Sequence, residues 1–284
     1  MYFWVIQVFN GISYGALLFL LASGLSLIFG VMRIVNLAHG SYFLLGGYVA
    51  LTVIRATGSW LLALPISALA VAVLGLLMER LFLRRLGFDA LRQVLLTVGF
   101  ALLFQQAALD IWGGDSMDIR APAALDWSVQ VGRLFLPVYR LFMIAVAGAV
   151  GLTLWVVIER TRIGAVVRAT VDDAEMARGV GINTARVSMS VFALGAFLAA
   201  LGGVIGGAFI GVYPGLDFEI LPLSFAVVII GGLGSLRGAV VGSLIVGLMD
   251  NFGKALFPEV AYFTLYAPMA MILAVRPRGL FGRQ

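Results

Sequence analysis

The residues that could do chemistry are few in this chain of 284 residues. It has no cysteine, which excludes a disulfide framework and thiolate chemistry. It has one histidine, His39, so we expect neither a zinc site built from several imidazoles nor a Ser-His-Asp triad. The one lysine, Lys254, is followed by Ala255, and Leu248 stands where a phosphate-binding P-loop requires glycine. The sequence therefore predicts a protein that is not an enzyme, holds no metal or cofactor, and does not hydrolyse ATP itself.

Ionisable groups are also nearly absent from the apolar segments. His39 is the clear exception, and Arg237 and Asp250 lie near the ends of a glycine-rich segment. Ion-coupled transporters usually place carboxylates or histidines at mid-membrane to carry protons. Because no such relay is visible, we expect a partner to supply the energy if this protein moves a solute uphill.

The elements that must position these residues are membrane helices. The chain is 62% apolar and only 12% charged, with a mean hydropathy of +1.07. A soluble globule of this size could not bury so much apolar surface, which excludes a soluble enzyme. The net charge of +5 does not indicate a nucleic-acid partner, because the arginines lie in short clusters between apolar runs. We therefore predict an all-α polytopic protein that lies in a lipid bilayer.

Apolar runs of about 20 residues, the length that crosses a bilayer, define the predicted spans. The stretch 222–253 is also apolar, but glycines interrupt its middle, so we predict two short or tilted helices or a re-entrant hairpin there. With this broken segment the chain has about 8–9 transmembrane helices. No domain boundary is visible, so residues 1–284 are predicted to form a single transmembrane domain. The uninterrupted runs are roughly 5–30, 35–54, 60–79, 93–112, 138–158, 187–210 and 259–275.

The distribution of basic residues predicts the orientation. Thirteen of them fall in loops on one side, and five fall on the other, with Arg237 left uncounted. The positive-inside rule then places the loop 159–186 and the C-terminal tail in the cytoplasm, with the N-terminus outside. Seven of the fourteen acidic residues, Asp217 among them, are predicted to lie on the outer side.

The loop 159–186 carries the most informative polar sequence. Asp172 can N-cap a short helix, with Glu175 three residues later completing a capping box, and two glycines can end it. We predict about two turns of helix that display Met176 and Ala177. A rigid apolar tip of this kind suits a socket on a soluble partner. The alternative is a solvated connector that lies on the lipid surface.

Asn36 and His39 are three residues apart, at the predicted start of the second span, and would share one helical face. They could line a polar path across the membrane. They could instead form a hydrogen-bonded pair that pins two helices together, and this interpretation is favoured because a lone polar pair is more often structural. The glycine-interrupted regions 29–47 and 231–242 are further predicted to face one another.

Four segments resemble one known family. The run Asp173-Ala-Glu-Met-Ala-Arg-Gly-Val-Gly-Ile-Asn183 resembles the coupling loop of ABC-importer permeases. Arg33-Ile-Val-Asn-Leu-Ala-His-Gly-Ser41 resembles the asparagine-hydrophobic-alanine-histidine-glycine signature of branched-chain amino-acid permeases of the high-affinity leucine-importer type. The ending Arg276-Pro-Arg-Gly-Leu-Phe-Gly282 is similar to that family's cytoplasmic tail, and 231–238 fits its penultimate region. The resemblance runs from about residue 10 to 282 in the family's order.

This resemblance implies an ABC importer permease fold in a bacterial inner membrane and an amino-acid-type substrate. It also implies partners: a second homologous permease subunit, two cytoplasmic ABC ATPases and an extracytoplasmic solute-binding protein. Alternatives are a permease or channel for urea, small amides or other small organic acids, and a structural membrane subunit without a pathway. The implied ATPase-coupling residues are Asp172, Asp173, Glu175, Met176, Ala177, Arg178, Gly179, Gly181, Ile182 and Asn183. The implied residues of the translocation path or of helix packing are Asn36, His39, Gly40, Ser41, Gly232, Gly234 and Ser235.

Overall fold

A computed structural model describes residues 2–87, 89–132 and 134–282. In these ranges the chain is overwhelmingly helical, which confirms the all-α prediction. A small antiparallel hairpin joins β1 (Ser128–Val131) to β2 (Leu134–Pro137) in the loop after α4. The α-helices are α1 (Tyr2–Met32), α2 (His39–Thr57), α3 (Trp60–Leu81), α4 (Ala90–Trp112), α5 (Val138–Arg160), α6 (Arg162–Asp172), α7 (Ala174–Gly179), α8 (Thr184–Ile210), α9 (Leu216–Gly231), α10 (Leu236–Leu256) and α11 (Ala261–Val275).

Each predicted run corresponds to one helix, but those at 35–54 and 259–275 form α2 and α11, of 19 and 15 residues, which are not among the candidate spans. Among the described residues, α1, α3, α4, α5, α8 and α10 are long and apolar enough to cross a membrane. The interrupted segment forms two helices, α9 and α10, which are separated by residues 232–235. The polytopic membrane fold is therefore confirmed, with the break at the predicted glycines.

Helix α1 lies at the centre of the bundle. It packs against α5, α8, α9 and α10. Within the most apolar stretch of 18 residues in α1, 72% is buried inside the chain. In the corresponding stretches of α4 and α5, only 22% and 17% are buried. Uncovered apolar faces of this kind suit contact with lipid tails or with other membrane helices.

Small residues bring the central helices into close contact. A Cβ atom placed on Gly24 of α1 would lie 2.6 Å from the carbonyl oxygen of Gly195 in α8. Gly203 of α8 lies directly against the backbone of Phe43 in α2. Membrane helices associate largely through such close packing, since lipid tails are as apolar as leucine side chains. Substituting a larger residue at either glycine would separate the helices.

The bundle has two chemically different ends. At one end, here called the arginine-rich end, the tail returns to α9, where the Leu280 amide donates to the Ile230 carbonyl at 2.9 Å. At the opposite end, the start of α1 meets the end of α10, where the rings of Trp4 and Phe252 lie 5.9 Å apart. The N-terminus of α1 and the C-terminal tail therefore lie at opposite ends of the bundle.

Candidate functional site

The short helix α7 is held at its start by one side chain. Asp173 alone separates α6 from α7, and its Oδ1 accepts hydrogen bonds from the amides of Glu175 and Met176, both at 2.9 Å. The prediction that Asp172 caps this helix is wrong, because Asp172 is the last residue of α6. The predicted capping box is also wrong. With Asp173 as the cap, its third helical position is Met176, which has no carboxylate.

The end of α7 is fixed by backbone hydrogen bonds. Gly179 is its last residue, so the helix has six residues, slightly less than the predicted two turns. Gly181 adopts φ +88°, a left-handed conformation that glycine tolerates best. This turn lets the Ile182 amide donate to the Ala177 carbonyl at 2.9 Å. Asn183 then caps α8 by accepting a hydrogen bond from the Arg186 amide at 3.0 Å.

The face that α7 presents to solvent differs in part from the predicted one. Met176 is 65% exposed, as predicted, but Ala177 is only 2% exposed and points inward. Val180, just after the helix, is 71% exposed. Met176 and Val180 therefore form the exposed apolar tip of this segment, called the α7 tip below.

A cavity of about 290 Å³ lies beside α7 and is walled by the ends of other helices. Ala174 and Arg178 line it from α7. Glu79 and Arg84 line it from the end of α3 and the 3-10 turn that follows. Glu79 is 2% exposed, and its Oε2 has no hydrogen-bond partner among the described residues. Because α7 shares the walls of this cavity with the ends of other helices, it lies beside the bundle and is not a free-standing loop.

Two sequence motifs that are far apart in the chain form one structure at the arginine-rich end. The tail amides of Leu280 and Phe281 donate to the last carbonyls of α9, those of Ile230 and Gly231, both at 2.9 Å. These carbonyls have no partner within the helix, so the tail satisfies them. Gly232 adopts φ +104°, and a Cβ atom there would collide with the tail backbone.

The other residues of this break also have local structural contacts. Ser235 Oγ accepts a hydrogen bond from the Gly238 amide at 3.0 Å and so caps α10. A Cβ atom on Gly30, near the end of α1, would lie 3.2 Å from the Cα of Gly234. The two glycine-interrupted regions therefore touch at this point, and Gly232, Gly234 and Ser235 all support helix ends or helix contacts.

Asn36 and His39 do not share a helical face, and that prediction is wrong. Helix α2 begins at His39, and Asn36 lies in the non-helical link before it. Both are completely buried. His39 Nε2 lies 2.9 Å from the Leu21 carbonyl oxygen of α1, whereas Asn36 Oδ1 accepts from the Ala38 amide at 3.1 Å. His39 therefore joins α2 to α1, and Asn36 shapes the turn into α2.

The structure adds a buried carboxylate, that of Asp217, which was not among the predicted site residues. Asp217 lies in the first turn of α9 and is 2% exposed. The Ser41 hydroxyl of α2 donates to its Oδ2 at 2.8 Å, and Gly40 packs against its backbone carbonyl. The apolar spacing of Leu216 and Ile220 extends the helical pattern of α9 back through Asp217, and this was the available signal.

Comparison with known proteins identifies the family of the chain. The family model described as branched-chain amino acid transport system / permease component matches residues 7–275. The high-affinity branched-chain amino acid transport system permease protein LivH of Salmonella typhimurium is 31% identical, over 98% of this chain and 95% of the relative. BraD of Pseudomonas aeruginosa, also described as a high-affinity branched-chain amino acid transport system permease protein, is 29% identical over 99% of this chain and 97% of the relative.

A more distant similarity is partial. The fructose import permease protein FrcC of Rhizobium meliloti is 31% identical, but over only 43% of this chain and 36% of the relative. No solved structure matches the chain. Since the family model and the full-length relatives cover nearly every described helix, the chain belongs to the family of branched-chain amino acid transport permeases and is a multi-pass inner-membrane protein.

Proposed function

We propose that this chain is the transmembrane permease subunit of an ATP-binding-cassette importer for branched-chain or related hydrophobic amino acids. A second homologous permease completes the translocation path, an extracytoplasmic binding protein delivers the solute, and two cytoplasmic ABC ATPases hydrolyse ATP. Residues 1–284 then act as one transmembrane domain without enzymatic activity of their own. The observation that carries this proposal is the near full-length similarity to LivH and BraD, both described as branched-chain amino acid permeases.

In this proposal the segment from Asp172 to Asn183 docks on an ATPase. The α7 tip supplies the apolar contact, since Met176 and Val180 are exposed and unoccupied by other parts of the described chain. Asp173 and Glu175 form the rim, where exposed charges contribute little to affinity. Ala177 packs on the buried side of the helix, and Gly181 forms the left-handed turn that ends this segment.

We place the arginine-rich end in the cytoplasm and the N-terminus outside. The basic residues in the loops of this end outnumber those of the opposite end by thirteen to five. Arg237, which the loop count leaves out, also lies at the arginine-rich end, beside Arg33 and Arg278. A ratio of this size is the usual signal for the cytoplasmic side.

Asn36, His39, Gly40 and Ser41 act in helix packing and not in solute contact. Each has a contact inside the subunit: a turn amide, a carbonyl of α1, the backbone of α9 and the carboxylate of Asp217. Buried polar groups of membrane helices commonly serve in this way.

Uptake into liposomes that contain the complete complex tests the proposed function. We expect ATP-dependent uptake of labelled leucine that unlabelled isoleucine and valine reduce and urea does not. The control complex carries ATPase subunits that bind ATP but cannot hydrolyse it, and it should take up nothing. Solute movement without ATP, or uptake that urea inhibits in preference to leucine, would reject the proposal in favour of a urea or small-amide pathway.

A further inference from the structure

A second, larger cavity opens at the arginine-rich end. Its volume is about 790 Å³, and its walls are the ends of α1 and α5, helix α6, the α9–α10 link and the tail. Four arginines line it, Arg33, Arg168, Arg237 and Arg278, with a single carboxylate, that of Glu159. Four positive charges face one negative charge, so the lining carries an excess of three positive charges.

These arginines have no carboxylate partner inside the described part of the chain. The ion pairs found there join Arg92 to Asp89 and Lys254 to Asp250, far from this cavity in sequence and outside its lining. The Nη1 atom of Arg168 is buried and makes no hydrogen bond within the described residues. A buried guanidinium nitrogen without a hydrogen-bond partner costs free energy. An anion in the cavity would supply the missing hydrogen-bond acceptor.

The end of α1 brings Arg33 to the cavity. Arg33 directly follows Met32, the last residue of α1, and its amide donates to the Phe29 carbonyl at 2.8 Å. Its φ of +54° is the left-handed conformation with which helices commonly end. The backbone therefore fixes Arg33 at the wall of the cavity.

The chemistry of the walls indicates the ligand. A guanidinium group matches the oxygens of a phosphate with two parallel hydrogen bonds. Beside the arginines, Trp155 and Ile158 of α5 form an apolar wall. The outer face of α5 is apolar and open, with Leu152 62% exposed, so lipid can approach it. A ligand that joins a phosphate to an apolar body can therefore reach the arginines from the bilayer.

We propose that the cavity lined by Arg33, Arg168, Arg237 and Arg278 binds the phosphate headgroup of an anionic phospholipid. Basic pockets between helix ends on the cytoplasmic side suit such headgroups. The bound lipid neutralises part of the excess charge and fastens α6, the α9–α10 link and the tail together. This site is separate from solute transport and does not depend on which solute the complex carries.

Lipid binding to the purified full chain tests the site. Native mass spectrometry would compare retention of phosphatidylglycerol, which is anionic, with that of phosphatidylcholine, which is zwitterionic. We expect the wild type to retain phosphatidylglycerol preferentially and the Arg168→Gln, Arg237→Gln variant to lose that preference by about tenfold or more, because two charged phosphate contacts are removed. Arg186→Gln is the matched control, since Arg186 is exposed, lies at the same end and lines neither cavity.

Three outcomes would overturn the assignment. The wild type could retain both lipids equally, or Arg186→Gln could weaken retention as much as the double variant does. Millimolar inorganic phosphate could displace phosphatidylglycerol, which would assign the cavity to a free anion and not to a lipid. If Arg168→Gln lowers the Tm in detergent micelles without added lipid, Arg237→Gln alone replaces the double variant, because Arg237 is exposed and its loss leaves the fold intact.

Discussion

Placing carboxylates on the α7 tip is the sharpest perturbation of the proposed coupling. The variant is Met176→Asp, Val180→Asp. Because Met176 and Val180 are 65% and 71% exposed, the isolated subunit should lose no more than about 0.5 kcal/mol of stability. The cap provided by Asp173 is untouched, so α7 should still form.

The cost in the assembled complex should be much larger. Full burial of one Met or Val side chain contributes about 1.5–3 kcal/mol, so losing both from an apolar socket removes about 3–6 kcal/mol. Even the lower value weakens docking by about a hundredfold, since each 1.4 kcal/mol is about a factor of ten. An aspartate buried in the same socket without a partner would add a further cost.

The assay measures ATP-dependent leucine uptake and ATPase pull-down beside the Tm of the purified subunit. We expect uptake and pull-down to fall together while the Tm stays within about two degrees of wild type. Ala177→Asp is the contrasting control, because Ala177 is 2% exposed and a buried carboxylate there should lower the Tm itself. Normal uptake by the Met176→Asp, Val180→Asp complex would refute the docking argument.

Three further outcomes are expected. His39→Ala should lower the Tm and the yield, because it leaves the Leu21 carbonyl without its 2.9 Å partner at a cost of about 1–3 kcal/mol, while the order of solute preference in competition uptake is kept. A complex of normal Tm with a changed solute order would instead place His39 in the pathway. Gly232→Ala should destabilise the subunit by more than about 1 kcal/mol in thermal unfolding, because it meets both a φ of +104° and the tail backbone, and an unchanged Tm would contradict this packing. A tag at residue 118 should be labelled in intact cells, with a reporter after Gln284 in the cytoplasm, and labelling only after lysis would reverse the orientation.

Helix positions could be predicted because the bilayer leaves few alternatives. A run of about 20 apolar residues must satisfy its own backbone in lipid, so the predicted run 138–158 became α5, Val138–Arg160. The start of α9 was harder to predict. Asp217, Glu219 and Pro222 all suggest a loop, yet contacts with α2 keep this turn helical and buried. The apolar spacing of Leu216 and Ile220 is a weaker signal than these three residues, and the contacts with α2 are not visible in the local sequence.

The candidate site could be predicted only in outline. The short helix between Asp172 and Asn183 could be predicted because an acidic cap and closing glycines act over a few residues, although the cap is Asp173 and not Asp172. Its buried face does not, because six residues are too few to show a periodicity, and neighbouring Met176 and Ala177 were assigned to the same surface. The docking of the tail on α9 joins segments about fifty residues apart in sequence, and no local rule anticipates it.

One helix connects the two proposed sites. Val167 and Arg168 of α6 line the larger cavity, whereas Thr170 of the same helix lines the smaller one beside α7. Gly164 packs α6 so closely on the end of α5 that no side chain fits between them. A lipid bound to α6 and an ATPase bound to α7 therefore act on two helices that only Asp173 separates, and any effect of one ligand on the affinity of the other must be reciprocal. The ratio of the ATPase affinities measured in phosphatidylglycerol and in phosphatidylcholine bilayers gives the size of this effect. If the sites are coupled, Arg168→Gln should abolish the difference between the two bilayers while the affinity in phosphatidylcholine stays unchanged. A lipid dependence that persists in this variant would show that the bilayer acts on the complex elsewhere.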